Sequence, residues 1–203
     1  MCPLSGQSRC GANSGRGLRP RGLARTLALK IPPLRLFFAL WPDPVVRQAF
    51  RDWLESLGAA PEAVQHPEDL HITLAFLGQV PAAILPCLEQ AAAGLNTRPF
   101  DLRLDQVGYW PAPKILWCGP SEPPLALLDL AQGLQERLVT CGISPEGRRY
   151  QPHVTLLREA QGLPDPLPTL NIPWVVRDFV LAETLSGVRP HYRVLKRWPL
   201  GKS

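Results

Sequence analysis

The chain has 203 residues, which is enough for one large domain or two small lobes around a sizeable core. Its composition, 45% hydrophobic and 19% charged, is typical of a globular protein, and its apolar runs are too short to span a membrane. The formal charge of +5 arises from residues 1–34: removing their six basic residues from the total of 22 leaves 16 against 17 acids, so a strongly basic globular body is excluded.

The amino-terminal segment is rich in Gly, Ser and Arg and has no acid before Asp43. This composition predicts a disordered basic extension over residues 1–33, followed by a single bilobal domain over residues 34–203. The extension has three interpretations: a nonspecific nucleic-acid arm, an organelle transit peptide, or an over-long start without function. A secretory signal is disfavoured because Lys30 and Arg35 interrupt the apolar run.

The cysteines are five in number and include no CxxC pair. This pattern argues against a disulfide framework and against a zinc cluster. It indicates a reducing compartment, and we therefore expect a cytoplasmic protein.

Strands and helices alternate along the chain. Residues 34–40 alternate as a strand, and Asp43-Pro44 then provides an N-cap and a first-turn proline for a helix. Further strands are predicted over 71–78, 100–108, 115–119, 153–158, 174–186 and 191–198, with helices over 81–95 and 124–141. The fold is therefore predicted to be mixed α/β or α+β.

The strand His71–Gly78, HITLAFLG, carries a histidine and a threonine on one face. With a period of two, the apolar face holds Leu70, Ile72, Leu74 and Phe76, and the other face holds His71, Thr73 and Ala75. A lone histidine on a strand is more often structural than catalytic, so this motif by itself is a weak signal.

The motif occurs a second time as HVTLLR, in which His153 and Thr155 again share one face. Phe100-x-Leu102 before Gly108 also matches Phe179-x-Leu181 before Gly187. A duplicated half-domain would bring the two histidine strands face to face by pseudo-twofold packing. The repetition favours a functional role for both histidines.

Two opposed imidazoles suit an in-line displacement at phosphorus. One histidine takes the proton of the attacking water and the other gives a proton to the leaving alkoxide, while the threonine hydroxyls donate to phosphate oxygens. This arrangement requires no metal, and His66 lies in a polar HPED loop away from any HExxH or CxxC pattern. No G-x-S-x-G elbow or glycine-rich phosphate loop is present in the sequence.

The two motifs resemble those of the two-histidine (2H) phosphoesterases, and most closely those of the RNA 2′,3′-cyclic phosphodiesterases, also called 2′-5′ RNA ligases. The similarity extends to RLFFAL before the first motif, KILWCGP between the motifs and YRVLKRWPL at the end, and so covers residues 34–200.

The resemblance implies an α+β bilobal fold with two antiparallel sheets lining a cleft. It implies hydrolysis of an RNA 2′,3′-cyclic phosphate to a 2′-phosphate without a cofactor. We expect the protein to be a monomer. His71 would be the proton donor and His153 the proton acceptor, although the two copies of the motif look equivalent in sequence. Thr73, Thr155 and Arg158 would bind phosphate, and Arg158 needs a strand end or a bulge to reach it.

Phe37, on the non-core face of the first strand, is the candidate for stacking on the nucleobase, with core packing as its alternative. A 5′-hydroxyl in place of water would give a 2′-5′ linkage by reversal. Two alternative functions stay open. One is hydrolysis of small cyclic nucleotides or oligoadenylates. The other is a noncatalytic RNA-binding module whose basic rim is Arg148, Arg149, Arg189, Arg193, Lys196 and Arg197.

Overall fold

The structure is a computed structural model that describes residues 32–58 and 64–201. The predicted extension over residues 1–33 therefore lies outside the described residues, apart from its last two positions. The strands in the described part are β1 Leu34–Leu40, β2 Ile72–Val80, β3 Phe100–Leu104, β4 Gln106–Trp110, β5 Ile115–Gly119, β6 Val154–Leu157, β7 Ile172–Val176, β8 Asp178–Thr184 and β9 Tyr192–Pro199. The α-helices are α1 Pro44–Ser56, α2 Leu85–Ala93 and α3 Leu125–Leu138. Among these residues, no helix is both long enough and apolar enough to cross a membrane.

The local signals in the sequence account for the ends of the helices. Helix α1 begins at Pro44 because Asp43 caps it, its Oδ1 accepting from the backbone N–H groups of Val45 and Val46 at 2.9 Å each. The last turn after α3 is a 3₁₀ turn that ends at Gly142, whose φ of 79° lies in the left-handed region that glycine adopts readily.

In the described residues the strands form a large antiparallel sheet and a second, small one, in an α+β fold as predicted; only the larger sheet lines the cleft, whereas the prediction has two sheets lining it. The larger sheet has seven strands in the order β4-β5-β6-β2-β1-β8-β9, and β3 pairs with β7 in a separate two-stranded sheet. The order of the larger sheet is symmetric about the β6–β2 junction, except that β9 has no counterpart. Each half therefore contains, in chain order, a strand, a helix, the strand that follows the histidine, a strand of the small sheet and an outer strand. The first half is β1-α1-β2-β3-β4 and the second is β5-α3-β6-β7-β8. Helix α2 is inserted between β2 and β3 of the first half.

This order corrects part of the predicted repeat. Residues 100–108 do not form one strand, because the chain breaks at Asp105 and enters the other sheet as β4. The counterpart of β3 is β7, its pairing partner, and not the Phe179 strand β8, which corresponds to β4. The Phe-x-Leu match reflects only that both strands direct alternate residues to the main core.

The main core lies between the sheets and the helices, and its fully buried members include Phe38, Phe50, Leu88, Leu127 and Leu134. A smaller cluster lies on the opposite face of β1 and β8 and consists of Phe37, Ala39, Trp41, Val180 and Ala182, with Tyr192 and Val194 packed against it. This smaller cluster supports the floor of the cleft described below.

The structure corrects the prediction about the cysteines. Cys87 in α2 and Cys141 after α3 form a disulfide, with Cα atoms 5.8 Å apart and a sequence separation of 54. Two cysteines so distant in sequence give no local signal, and only the packing of α2 against α3 brings them together. The cysteine pattern therefore gives no support to a reducing compartment. Cys118 is buried and unpaired.

Candidate active site

The two histidine motifs meet at the junction between the halves of the larger sheet. Ile72 of β2 pairs with Val154 of β6 in the antiparallel sense, so the residues that flank this pair lie on the same face. The side chains of His71, Thr73, His153 and Thr155 line one cavity of about 290 Å³. The cavity also takes residues from β1, β5, β8 and β9, and all of its lining belongs to the larger sheet and its adjoining loops.

A β-bulge follows the threonine in the first motif. Ala39 pairs with Thr73 whereas Phe38 pairs with Ala75, so Leu74 is the extra residue in β2. Leu74 and Ala75 both enter the core, and Phe76 then turns to the cleft, where it is 40% exposed. Simple alternation predicts Ala75 on the cleft face and Phe76 in the core, and both placements are wrong because one extra residue inverts the alternation.

The second motif contains the same irregularity. Trp117 pairs with Thr155 whereas Leu116 pairs with Leu157, so Leu156 is the extra residue in β6. Leu156 and Leu157 are both buried, the strand ends at Leu157, and Arg158 lines the cleft. The structure thus provides the bulge and the strand end that Arg158 requires. Phe76 and Arg158 consequently occupy equivalent positions, the fifth residue after each histidine.

The backbone fixes the tautomer of both histidines. The Nδ1 of His71 lies 2.7 Å from the carbonyl oxygen of Asp69, and the Nδ1 of His153 lies 2.9 Å from that of Gln151. A carbonyl oxygen only accepts, so Nδ1 donates in each case and Nε2 is the ring nitrogen that remains for chemistry. The same i−2 contact in both halves makes the two imidazoles equivalent in orientation.

Their surroundings differ. The ring of His71 stacks on Trp41 at 5.4 Å between centroids and also contacts Phe37 at 4.8 Å and Tyr192 at 5.0 Å. Desolvation among these rings lowers the pKa of His71 to about 4, and the neighbouring His153 and Arg158 contribute to the lowering. For His153, which contacts Trp110 at 4.5 Å, burial also lowers the pKa. Both imidazoles are therefore neutral in the unliganded site at neutral pH.

Phe37 lies in the cleft lining, but its ring is only 3% exposed and packs between His71 and Tyr192. This placement favours the packing alternative over stacking on a nucleobase. The most exposed aromatic residue in the cleft lining is Phe76, with the guanidinium carbon of Arg35 5.1 Å from its ring centroid. No local pattern in the sequence points to Phe76, because its exposure depends on the bulge.

A buried carboxylate, that of Asp69, lies beside His71 in the lining of the cleft. The side chain of Asp69 is fully buried, and it accepts from the backbone N–H groups of His191 and Tyr192 at 3.0 and 3.1 Å and lies 3.0 Å from the His191 Nδ1. Asp69 therefore anchors the start of β9 through its side chain and orients His71 through its backbone carbonyl. Sequence reasoning missed it, because a charged residue in a polar HPED loop is expected to be exposed.

Two further features bear on the chemistry of the cleft. The hydroxyl of Tyr150 donates to the carbonyl of Thr73 at 3.0 Å and so ties the loop before the second motif to the first. Within residues 32–58 and 64–201, no group of three or more His, Cys, Asp and Glu side chains is arranged to hold a metal ion. The polar groups that face the cavity include the imidazoles, the threonine hydroxyls, the guanidinium groups and the amide of Gln65.

Comparison with known proteins places this cleft in context. The model of the 2′-5′ RNA ligase superfamily matches residues 41–181. The RNA 2′,3′-cyclic phosphodiesterase of Escherichia coli is 35% identical over 172 residues, covering 83% of this chain and 97% of that protein. The protein of the same name from Thermus thermophilus is 32% identical over 191 residues, covering 82% and 90%.

The solved structure of E. coli LigT complexed with 3′-AMP superposes with a TM-score of 0.74 at 32% identity, covering 85% of this chain and all of that one. The region matched by the superfamily model includes both histidine strands.

Proposed function

Because this chain belongs to the 2′-5′ RNA ligase superfamily, we propose that it hydrolyses RNA 2′,3′-cyclic phosphate ends to 2′-phosphomonoesters. The names of its relatives in E. coli and Thermus thermophilus support this reaction. The observation that carries the proposal is the arrangement of His71, Thr73, His153 and Thr155 around one cavity, with two bulges that turn Arg158 and Phe76 into it.

The reaction is a displacement at phosphorus with two proton transfers. The Nε2 of His153 takes a proton from water as the water oxygen bonds to phosphorus. The bond between phosphorus and O3′ breaks, and the Nε2–H of His71 gives its proton to O3′. The products are a 2′-phosphate and a free 3′-hydroxyl, and the two histidines have exchanged protonation states. This choice of donor and acceptor rests on the family resemblance.

The free site holds His71 neutral, so the donor must gain its proton as the substrate binds. The phosphodiester is an anion, and an anion beside the imidazole favours the charged form. Substrate binding therefore favours protonation of His71, whereas without a bound anion this imidazole stays neutral among the aromatic rings. This coupling follows from the low pKa of His71.

The remaining groups divide between the phosphate and the base. The hydroxyls of Thr73 and Thr155 donate to the nonbridging oxygens, and Arg158 neutralises the charge that builds on them. Phe76, with Arg35 over its ring, is better exposed than Phe37 to stack on the terminal nucleobase. With a 5′-hydroxyl in place of water, the reverse reaction joins two RNA ends by a 2′-5′ linkage and needs no ATP.

The noncatalytic alternative receives little support from the charges. Three members of its basic rim form ion pairs within the protein: Arg193 with Glu183, Lys196 with Glu89 and Arg197 with Asp178. These pairs reduce the positive field available to RNA.

The test is an assay on an RNA oligonucleotide that ends in a 2′,3′-cyclic phosphate, with analysis of the product end. We expect a 2′-phosphate that resists a 3′-specific phosphatase. A 3′-phosphate product would contradict the proposed leaving group. Hydrolysis of cyclic mononucleotides or oligoadenylates in strong preference to this RNA would favour the other branch of the superfamily.

A further inference from the structure

A second cavity of about 310 Å³ adjoins the catalytic cleft on the side of α1. Its wall is partly apolar, formed by Leu54, Val64 and Pro67, and partly cationic, formed by Arg51 and Arg189. This volume is within the range of small-ligand sites, which combine apolar surface with a few polar groups. We call it the α1 groove.

Gln65 joins the α1 groove to the catalytic cleft, because it lines both cavities. Its backbone N–H donates to the carbonyl of Leu156 at 2.8 Å, which places the residue beside the bulge of β6. Gln65 is only 7% exposed. A ligand that extends from the cleft into the groove would therefore pass this residue.

The positive charges of the α1 groove come from two separate elements. Arg51 lies on α1, where Gln48 accepts from its guanidinium group, and Arg189 lies in the loop before β9. That loop is anchored two residues later, where His191 and Tyr192 bond to the buried Asp69. Neither arginine forms an ion pair within the described residues, although Glu55 also lines the groove.

His66 adds a hydrogen-bond donor to the same wall. Its Nδ1 accepts from the backbone N–H of Glu68 at 3.2 Å, so in the neutral ring Nε2 carries the hydrogen. The groove therefore offers two guanidinium groups and one N–H beside an apolar surface. This combination fits a nucleotide unit, which has an anionic phosphodiester and a flat base.

We propose that the α1 groove binds the nucleotide immediately 5′ to the cyclic-phosphate end of the RNA. Its base lies against Leu54, Val64 and Pro67, its phosphodiester lies between Arg51 and Arg189, and the amide of Gln65 bonds to the strand where it passes from groove to cleft. The inference rests on the proposed function and makes an RNA chain, rather than a mononucleotide, the preferred substrate.

The test compares two substrates that share a terminal adenosine: adenosine 2′,3′-cyclic phosphate and a tetranucleotide ending in the same group. We expect Arg51→Gln with Arg189→Gln to lower kcat/KM on the tetranucleotide about tenfold. The same double variant should change kcat/KM on the mononucleotide by less than about twofold, because the mononucleotide does not reach the groove. The salt dependence of tetranucleotide binding should fall by about 0.7 in log–log slope for each phosphate that the protein no longer neutralises.

Arg47→Gln is the matched control, because Arg47 lies one turn before Arg51 on α1 and lines a different cavity. It should leave the ratio of the two substrates unchanged. Equal losses on both substrates, or no loss on either, would overturn the inference. A binding assay with the 2′-phosphorylated tetranucleotide and with 2′-AMP decides the same question without turnover. If the wild-type protein hydrolysed neither substrate, the proposed function would fall and this binding assay would still judge the groove.

Discussion

The proton affinity of His71 should change when a phosphate enters the cleft. In the free protein, desolvation among Trp41, Phe37 and Tyr192 lowers its pKa to about 4. A phosphate monoanion about 4 Å from the imidazolium stabilises the charged form by about 4 kcal/mol at an effective dielectric constant of about 20. Since about 1.36 kcal/mol corresponds to a tenfold change in proton affinity, the affinity rises about a thousandfold. Binding thus returns the pKa of His71 to the neutral range, where a general acid is effective.

The measurement is an NMR titration of the His71 ring, assigned with His71→Gln, in the free protein and with saturating 2′-AMP. We expect the free ring to titrate well below the ordinary histidine value of 6.5 and the bound ring to titrate higher. Adenosine, which lacks the anion, is the control and should leave the midpoint in place. A free His71 that titrates at or above 6.5, or one whose midpoint is the same with and without 2′-AMP, would refute the reasoning.

Four further outcomes are expected. His71→Ala and His153→Ala should each lower kcat by about 10²–10⁴, with a double variant scarcely worse than either, because the pair acts as one acid–base unit; steady-state kinetics measure this. Activity should survive EDTA, because the histidines themselves carry both proton transfers; activity lost and then restored by zinc or manganese would contradict the mechanism. Asp69→Asn should lower kcat by about 10-fold to 100-fold, because Tyr192 is no longer held against His71, and it should lower the pKa of His71 further, because the carboxylate charge that raises this pKa is lost. Cys141→Ser should lower the free energy of unfolding by about 4 kcal/mol, from closure of a loop of 54 residues, in denaturant titrations.

The variants at Asp69 and Cys141 need controls that separate chemistry from stability. For Asp69→Asn, unchanged KM and a shifted His71 titration indicate misplacement of the acid, whereas unfolding alone would lower the active fraction without moving the titration. For the disulfide, the control is Cys118→Ser, which removes the buried free thiol. Reductant should lower the free energy of unfolding of this variant by as much as it does for the wild type. A wild-type protein whose stability is the same with and without reductant would contradict the pairing of Cys87 with Cys141.

The elements that depend on neighbouring residues were predictable from the sequence. The strand Leu34–Leu40 and the helix beginning at Pro44 follow from alternation and from the Asp43 cap, and the structure has both. The meeting of His71 and His153 follows from a repeat, because two copies of one motif pack about a local twofold axis.

Features that depend on pairing between distant strands were not predictable in this way. The bulge at Leu74 is set by the register between β1 and β2, and without it simple alternation puts Phe76 in the core. The burial of Asp69 depends on the arrival of β9, 122 residues later in the chain. The prediction places Phe37 on the correct face of β1. It does not anticipate that the rings of His71 and Tyr192 cover this face.

Strand β9 makes the two ends of the larger sheet unequal. Without it the larger sheet would have three strands on each side of the β6–β2 junction. Tyr192, at the beginning of β9, packs its ring against His71, the histidine of only one half. The surroundings of the two histidines therefore differ in part because one edge of the sheet carries a strand that the other edge lacks.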